Sequence, residues 1–532
     1  MRQLKLPLEI EKLIDISDPV YTFCEVMDHI DLSRYFVEKG YKTGRPRCDA
    51  QKLIKVILFA FMENGICSLR EIEKLCRNDI RYMYLLDGMK TPSFATFGNL
   101  IRNELTDSIE QIFEDINSYI FAKDHVDLQH TYIDGTKIEA NANRYTWVWK
   151  KSCVKNRQKV FDKISLLIDA MNLEVLGYLG IKFEKREAYA VDYVSELLTM
   201  YKETTGLDET SFVSGRGHRK SIQQKQYEEL HEYLERLKSY AYHIETCGEE
   251  RNSYSKTDPD ATFMRMKEDA MRNGQLKPAY NIQHRVDSEY ITWIDISPRP
   301  TDTCTLIPFL KDMESHLGFK YSEIVADAGY ESEENYLFIE GNGQTAYIKP
   351  QNYEISKTRK YKKDISRREN MEYHADRDSY ICRNGRELTV TNERRSKTAS
   401  GYVSVKTYYR SPDCTGCPYK TECIKGNNCK TPMEKRNKVL MVSKTMSQKR
   451  AEDLERITSE YGTMLRMNRS IQAEGSFADV KEDMNFRRYL YRGKANALAE
   501  SILLAMGRNI NKLHCKIQTG RTESYLFPLK RA

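Results

Sequence analysis

Three carboxylates of this sequence stand where acids are unusual. Asp134 falls inside the stretch His130 to Ala140 (HTYIDGTKIEA), which alternates apolar and polar residues and is rich in β-branched and aromatic types, the pattern of a strand. Asp327 closes the short apolar run Ser322 to Asp327 (SEIVAD), whose shape predicts a buried strand. Glu474, within SIQAEGSF, sits on a helix expected to pack beside both. In a mixed sheet, ligands bind beyond strand ends, so the three acids can face one cleft. Carboxylates brought that close repel until some take up protons, unless a divalent cation compensates them. An oxygen-only donor set selects a hard ion such as Mg²⁺ or Mn²⁺. Two such ions about 3.5–4 Å apart deprotonate an attacking hydroxyl and stabilise the leaving oxygen of an in-line phosphoryl displacement, with no nucleophilic side chain required.

A second group of residues has metal-ligand spacing. Four of the 13 cysteines crowd into Cys414 to Cys429. Cys414-x-x-Cys417 followed by Cys423, or by Cys429 in its place, offers thiolates to a tetrahedral Zn²⁺ that would pin a small unit with no core of its own. Asn485 to Lys494 (NFRRYLYRGK) interleaves Arg487, Arg488, Arg492 and Lys494 with Phe486, Tyr489 and Tyr491. It reads either as a nucleic-acid contact or as an amphipathic helix end with core aromatics and solvated arginines. Trp147 and Trp149, after the first acid, could stack on a displaced base or pack in a core.

The elements that must position these residues follow from the periodicity. Residues 17 to 122 read as helical: Asp49 to Asn64 carries an apolar face, Ser68-Leu-Arg-Glu71 has capping-box spacing before a second helix, and a third helix begins at Ser93. The intervening turn gives helix-turn-helix spacing. After the first strand, residues 145 to 275 return to charged helical sequence, with Tyr227, Leu230, Leu234 and Leu237 at helical spacing. A hairpin is predicted from Ala279 to Ile296 around Asp287-Ser288-Glu289, then a helix, the Asp327 strand, a helix from Ser332 and a strand at Thr345 to Lys349. The fold class expected is α+β, an RNase H-like mixed sheet core with a helical insertion, a small zinc-binding insertion and a helical N-terminal domain. The boundaries are 1–125 for the N-terminal DNA-binding domain, 126–144 and 277–350 for the first part of the core, 145–276 for the helical insertion, 351–445 for the basic cysteine-rich insertion, and 446–532 for the helices that complete the core.

The chain has 532 residues, with 84 Lys and Arg against 77 Asp and Glu, and its positive charge is clustered. Ser356 to Arg368 holds seven basic residues against one acid and Lys150 to Lys163 six against one, which suits a polyphosphate partner. The longest apolar run, Val56 to Met62, is far short of the roughly 20 residues a membrane span needs. The N-terminus MRQLKLPLEIEK has no signal-peptide hydrophobic region, so a cytoplasmic protein is expected.

Four blocks in order give the chain a family likeness. YIDGTKIEANANRYTWVWKKS, TDPDATFM with PAYNIQHRVD, VADAGYESEENY, and RSIQAEGSFADVKEDMNFRRYLYRG resemble the catalytic blocks of bacterial insertion-sequence transposases of the DDE superfamily, in a long subgroup related to the IS4 and IS5 types. The resemblance implies that Asp134, Asp327 and Glu474 are the catalytic D, D and E and hold two Mg²⁺ or Mn²⁺ ions. It implies that Lys481 contacts DNA near the cut and that Cys382, in YICRNG, completes the zinc set with Cys414, Cys417 and Cys423. It further implies an enzyme that cleaves transposon ends at terminal inverted repeats and joins them to target DNA, acting as a homodimer and associated with the bacterial nucleoid. Relatives that form DNA hairpins carry Tyr and Arg seven and four residues before the Glu, where this chain has Met467 and Ser470. Arg469 can substitute as a DNA contact, but a hairpin intermediate is not implied. Two other classes fit the same residues: an inactive DNA-binding derivative, and an RNase H-like nuclease that cuts without joining.

Overall fold

Why the N-terminal third is helical is visible at its caps. In the computed structural model, which describes residues 10–36, 47–126, 130–215, 218–266, 274–398, 400–426 and 429–524, this part forms α1 (Pro19–Asp28), α2 (Ala50–Asn64), α3 (Leu69–Asn78), α4 (Ile80–Leu86), α5 (Phe94–Asn103) and α6 (Ile109–Lys123). The first nine residues of the N-terminal stretch MRQLKLPLEIEK lie outside the described residues. Asp49 caps α2 by accepting from the Gln51 and Lys52 N–H groups, and Ser68 caps α3 through Glu71 N–H, as the capping-box spacing predicts. Between Asp49 and Ser93, where two helices are read from the sequence, the structure has three. Asp79 ends α3 in an extended conformation and caps α4 by accepting from Arg81 N–H at 2.9 Å. Propensity alone does not show that break, because Asp79 is tolerable inside a helix and excellent at its start.

The chain falls into two compact units, residues 1–139 with 280–532, and residues 140–279. The first unit continues with β1 (His130–Glu139). The second holds β2 (Trp147–Trp149), α7 (Lys150–Glu174), α8 (Val191–Thr205), α9 (Ile222–Cys247), β3 (Ser253–Ser255) and β4 (Thr262–Arg265). Its three helices share a core in which Ile164, Ile168, Leu197, Leu230, Leu234 and Leu237 are buried. β2 pairs with β3, and β4 pairs with the beginning of β5 (Leu276–Asp287), which carries the chain back into the first unit.

There follow β6 (Tyr290–Ser297), α10 (Leu306–Leu317), β7 (Glu323–Ala326), α11 (Glu333–Gly341) and β8 (Thr345–Ile348). β5 and β6 form the predicted hairpin, and its turn residues Ser288 and Glu289 both have positive φ, 48° and 73°, the turn geometry that matches strand twist. The sheet runs β5-β1-β7-β8, with β6 on β5; β1 and β7 are parallel from His130↔Glu323 to Ile133↔Ala326, as are β7 and β8. Strand alternation divides its faces. Ile133, Ile324 and Ala326 meet Phe309, Leu310 and Met313 of α10 and Tyr336 and Ile339 of α11. On the other face Tyr132, Val325 and Tyr347 meet Ile457 and Leu465, which belong to helices described next.

The basic, cysteine-bearing segment forms an antiparallel sheet of β9 (Glu372–His374), β10 (Ser379–Ile381), β11 (Glu387–Lys397), β12 (Val403–Arg410) and β13 (Val439–Val442), in sequence order. Then come α12 (Lys444–Thr458), α13 (Glu460–Ala478) and α14 (Lys494–Gln518). The helical sequence expected from Ser447 to His514 is therefore interrupted. α13 passes through a π turn at Asp479–Asp483, and residues 484–493 are non-helical, with Gly493 (φ 86°) immediately before α14. α14 binds the exposed edge of β6 by side chain: Asn509 accepts from Ile291 N–H at 2.9 Å and donates to Ile291 C=O at 2.6 Å. The described chain is thus α+β with a mixed sheet, and none of its helices is long and apolar enough to cross a membrane.

Candidate active site

The parallel ladder of β1 and β7 stops at Ile133↔Ala326, and the residue that follows in each segment is an acid, Asp134 within β1 and Asp327 just past the end of β7. Asp327 is fixed by its own turn, its carboxylate accepting from Gly329 N–H at 2.7 Å, and Asp134 accepts from Gly135 N–H at 2.9 Å. Glu474 lies on the exposed side of α13, which packs along β1 and β7, with Tyr461 bonded to Glu323 and Leu465 against Tyr132 and Val325. Arg469 joins it to them, one turn earlier on the same helix. Its guanidinium is 3.3 Å from Glu474 and 3.8 Å from Asp134, and it is buried to 12% exposure with Nη1 making no hydrogen bond. Ser470 also donates to Glu474, at 3.0 Å.

The sequence reading missed several residues of this site. Asp302 meets Asp327 across Gly329, where an added Cβ would lie 2.9 Å from Asp327 Oδ1 and 3.0 Å from Asp302 Oδ2. Asn281 donates to the other oxygen of Asp302 at 2.8 Å. Gln283, fully buried on β5, accepts a hydrogen bond from Tyr330, and both crowd Gly135, where a Cβ would be 2.7 Å from the Gln283 amide and 2.8 Å from the Tyr330 hydroxyl. Burial, and then the charges of Asp302, Asp134 and Asp327, push the Tyr330 hydroxyl well above its usual range, with Arg469 opposing, so Tyr330 remains a neutral donor. For Asn281 and Gln283 a signal was available: with His284 and Arg285 they are consecutive or alternate polar residues in a strand that is buried from Pro278 to Asp287. His284 stacks on Phe477 of α13, ring centroids 4.0 Å apart, and burial together with the positive charges of Arg508 and Lys481 pushes its pKa down to about 3. A neutral imidazole therefore backs the helix that carries Glu474.

Lys481 follows in the π turn. The basic stretch beyond it is not the helix end expected. Phe486 and Tyr489 are core residues, each 1% exposed, so they are unavailable to stack on bases, while Arg487, Arg488, Arg492 and Lys494 are exposed. Arg487 is held by Glu482 at 2.6 Å, and Lys494 lies 3.7 Å from Asp295. Trp147 is 48% exposed and meets Phe263 edge-on at 6.0 Å, with Trp149 on the same ring.

The cysteines are all free thiols. Burial raises the Cys423 pKa, the Lys438 ammonium opposes it, and Cys382, Cys414 and Cys417 all lie close enough to add to the rise. Lys438 N–H donates to Cys414 Sγ at 3.3 Å. Cys429 is exposed, and the groups acting on it are Thr431 and Arg436. Among the described residues, no group of three or more His, Cys, Asp or Glu side chains is disposed to hold a metal ion. At the acidic site the donors have the right chemistry for a hard cation, but the place beside Asp134 and Glu474 is taken by the Arg469 guanidinium.

Acids that follow directly on the last paired residues of adjacent parallel strands, with a third on a helix packed along them, define an α+β protein organised around an acidic site. Residues 381–514 match the family model described as a transposase DDE domain, and residues 8–103 match the DUF772 transposase domain. No curated protein and no solved structure matches the chain. The chain thus carries transposase domains toward both ends, and they support an insertion-sequence DDE transposase, a family of nucleases and transferases.

Proposed function

We propose that this chain is a DNA transposase that cleaves double-stranded DNA at transposon terminal inverted repeats and transfers the freed end into target DNA by in-line phosphoryl transfer. The observation that carries the reading is the adjoining position of Asp134 and Asp327 where the parallel pairing of β1 and β7 stops, with Glu474 linked to Asp134 through one arginine. The β5-β1-β7-β8 order, with helices on both faces, supports an RNase H-like core. In that reading the remaining parts are the N-terminal DNA-binding helices, the helical insertion and the cysteine-rich insertion, within the boundaries given above.

Asp134, Asp327 and Glu474 are proposed as the catalytic acids, with Lys481, Arg469, Arg487, Arg488, Arg492 and Lys494 contacting DNA. Divalent Mg²⁺ or Mn²⁺ would supply Lewis acidity to the phosphoryl group. The protein's own contribution is to hold the acids by backbone N–H groups and to keep Tyr330 and His284 neutral behind them. For a structural Zn²⁺ the proposed ligands are Cys382, Cys414, Cys417 and Cys423, the first three of which all act on Cys423, whereas Thr431 and Arg436 are the groups acting on Cys429. Stoichiometric zinc in purified protein is the expected result, and a fold that survives replacement of all four by Ser would refute that role. The cytoplasm, at the nucleoid, is the proposed location, and a homodimer the proposed active species.

The test is incubation with the DNA that flanks this gene, with Mg²⁺, followed by assays of end cleavage and of strand transfer. Both are expected, and Asp134→Asn should abolish both. Cleavage without joining would make the chain a nuclease, and DNA binding with neither would make it an inactive derivative.

A further inference from the structure

We infer that the β11–β12 ribbon of the cysteine-rich segment is a second DNA-docking surface, one that grips the phosphate backbone away from the acids; this rests on the DNA-transposase reading. In the register of the two strands Arg394 stands directly opposite Lys406, and alternation puts Arg410 on the same face as Lys406. Like charges directly across a ladder destabilise it, so this pair is a cost the isolated ribbon bears. Nothing nearby removes it: among the described residues Arg394, Lys406 and Arg410 make no ion pair. The acids that touch the ribbon are engaged by hydroxyl groups: Glu333 accepts from Tyr402, Ser404 and Ser443, Glu334 from Ser400, Asp378 from Tyr409, and Glu393 of β11 from Thr407. Arg394 lies over the Tyr408 ring, 5.4 Å from its centroid, which holds the guanidinium outward on a rigid platform.

The far part of the ribbon is open. From Thr389 to Arg395 every residue of β11 is exposed, Arg395 and Lys397 add charge on the opposite face, and Val405 is 45% exposed. A two-stranded antiparallel ribbon of this kind fits the major groove of duplex DNA, whose phosphates would neutralise the cross-strand pair. The partner is therefore a double-stranded polyanion.

The experiment measures binding of a short random-sequence duplex across a salt series, in the full chain. Replacing Arg394, Lys406 and Arg410 together by Gln should reduce the slope of log affinity against log salt by about two to three, since each phosphate contact contributes about 0.9. Arg394→Glu alone places an acid opposite Lys406, so the melting temperature should hold or rise while duplex affinity falls; a purely structural ribbon would not show that combination. Arg394→Lys should retain the slope. Unchanged slope and affinity in the triple variant would overturn the inference, as would variants that lose binding only to anionic lipid vesicles. If the wild-type chain itself shows no salt-dependent duplex binding, the transposase reading fails instead, so the two failures are distinguishable.

Discussion

Arg469 answers a question that the three acids pose. Carboxylates gathered without a cation should repel, and here one guanidinium spans Asp134 and Glu474 in place of an ion. It follows that the arginine competes with divalent cations and is released when a DNA phosphate draws it away. Arg469→Gln should therefore bind Mn²⁺ about tenfold more tightly than the wild type in the absence of DNA, as read by electron paramagnetic resonance of free Mn²⁺. Equal affinities would show that the guanidinium does not guard the site. A second expectation concerns Gly329. A methyl there would press on Asp327 Oδ1 at 2.9 Å and Asp302 Oδ2 at 3.0 Å, so, with Asp327 in its proposed catalytic role, Gly329→Ala should displace that carboxylate and cut the cleavage rate by about 100-fold. The melting temperature should move little; a parallel loss of rate and fold would refute a local effect. Asp134 and Asp327 could be read from sequence because an acid inside a strand, or closing a short apolar one, is anomalous. Asp302 could not, because an acid in a turn before a helix looks like an ordinary cap.

α14 fastens the sheet to the N-terminal helices through buried polar groups. Lys516 pairs with Asp124 at 2.7 Å, both side chains 2% exposed, and Tyr290 donates to the same carboxylate at 2.8 Å. Removing one partner of such a pair leaves a buried charge uncompensated, so Lys516→Ala should cost about 3–5 kcal/mol in urea unfolding. At the other end of α14, Glu500 accepts from Leu490 and Tyr491 N–H groups, and burial raises its pKa from 4.5 to about 8. The folded state thus keeps a proton that the unfolded state loses. Stability from this group is full below pH 4.5 and lost as pH rises through about 8. Glu500→Gln should flatten the melting temperature over that range, and an unchanged slope would point to another group. The strands and long helices were legible because each has one apolar face. The breaks at Asp79 and at 479–493 were not: Asp79 caps α4 and pairs with Arg81, whose guanidinium is held in turn by Glu63 of α2, and the second break carries Phe486, Tyr489 and Glu500 into the core.

For the whole molecule, the proposed reaction joins two DNA ends, and each chain has a single set of acids. If one subunit of a homodimer cuts each end, both must be intact for a complete excision. Mixing wild-type chain with an equal amount of Asp134→Asn, allowed to exchange subunits, should then leave about one quarter of the complete excision events, because only dimers with two wild-type subunits succeed. Single-end cleavage should fall to about one half in the same mixture, since it counts intact sites rather than intact pairs. The ratio of the two products separates the cases. A monomer that processes both ends in turn predicts one half for both products, and a trans-acting dimer in which one subunit serves both ends predicts no excess loss of complete excision. The net charge of +7 does not decide between them, since it favours DNA encounter for any of these assemblies.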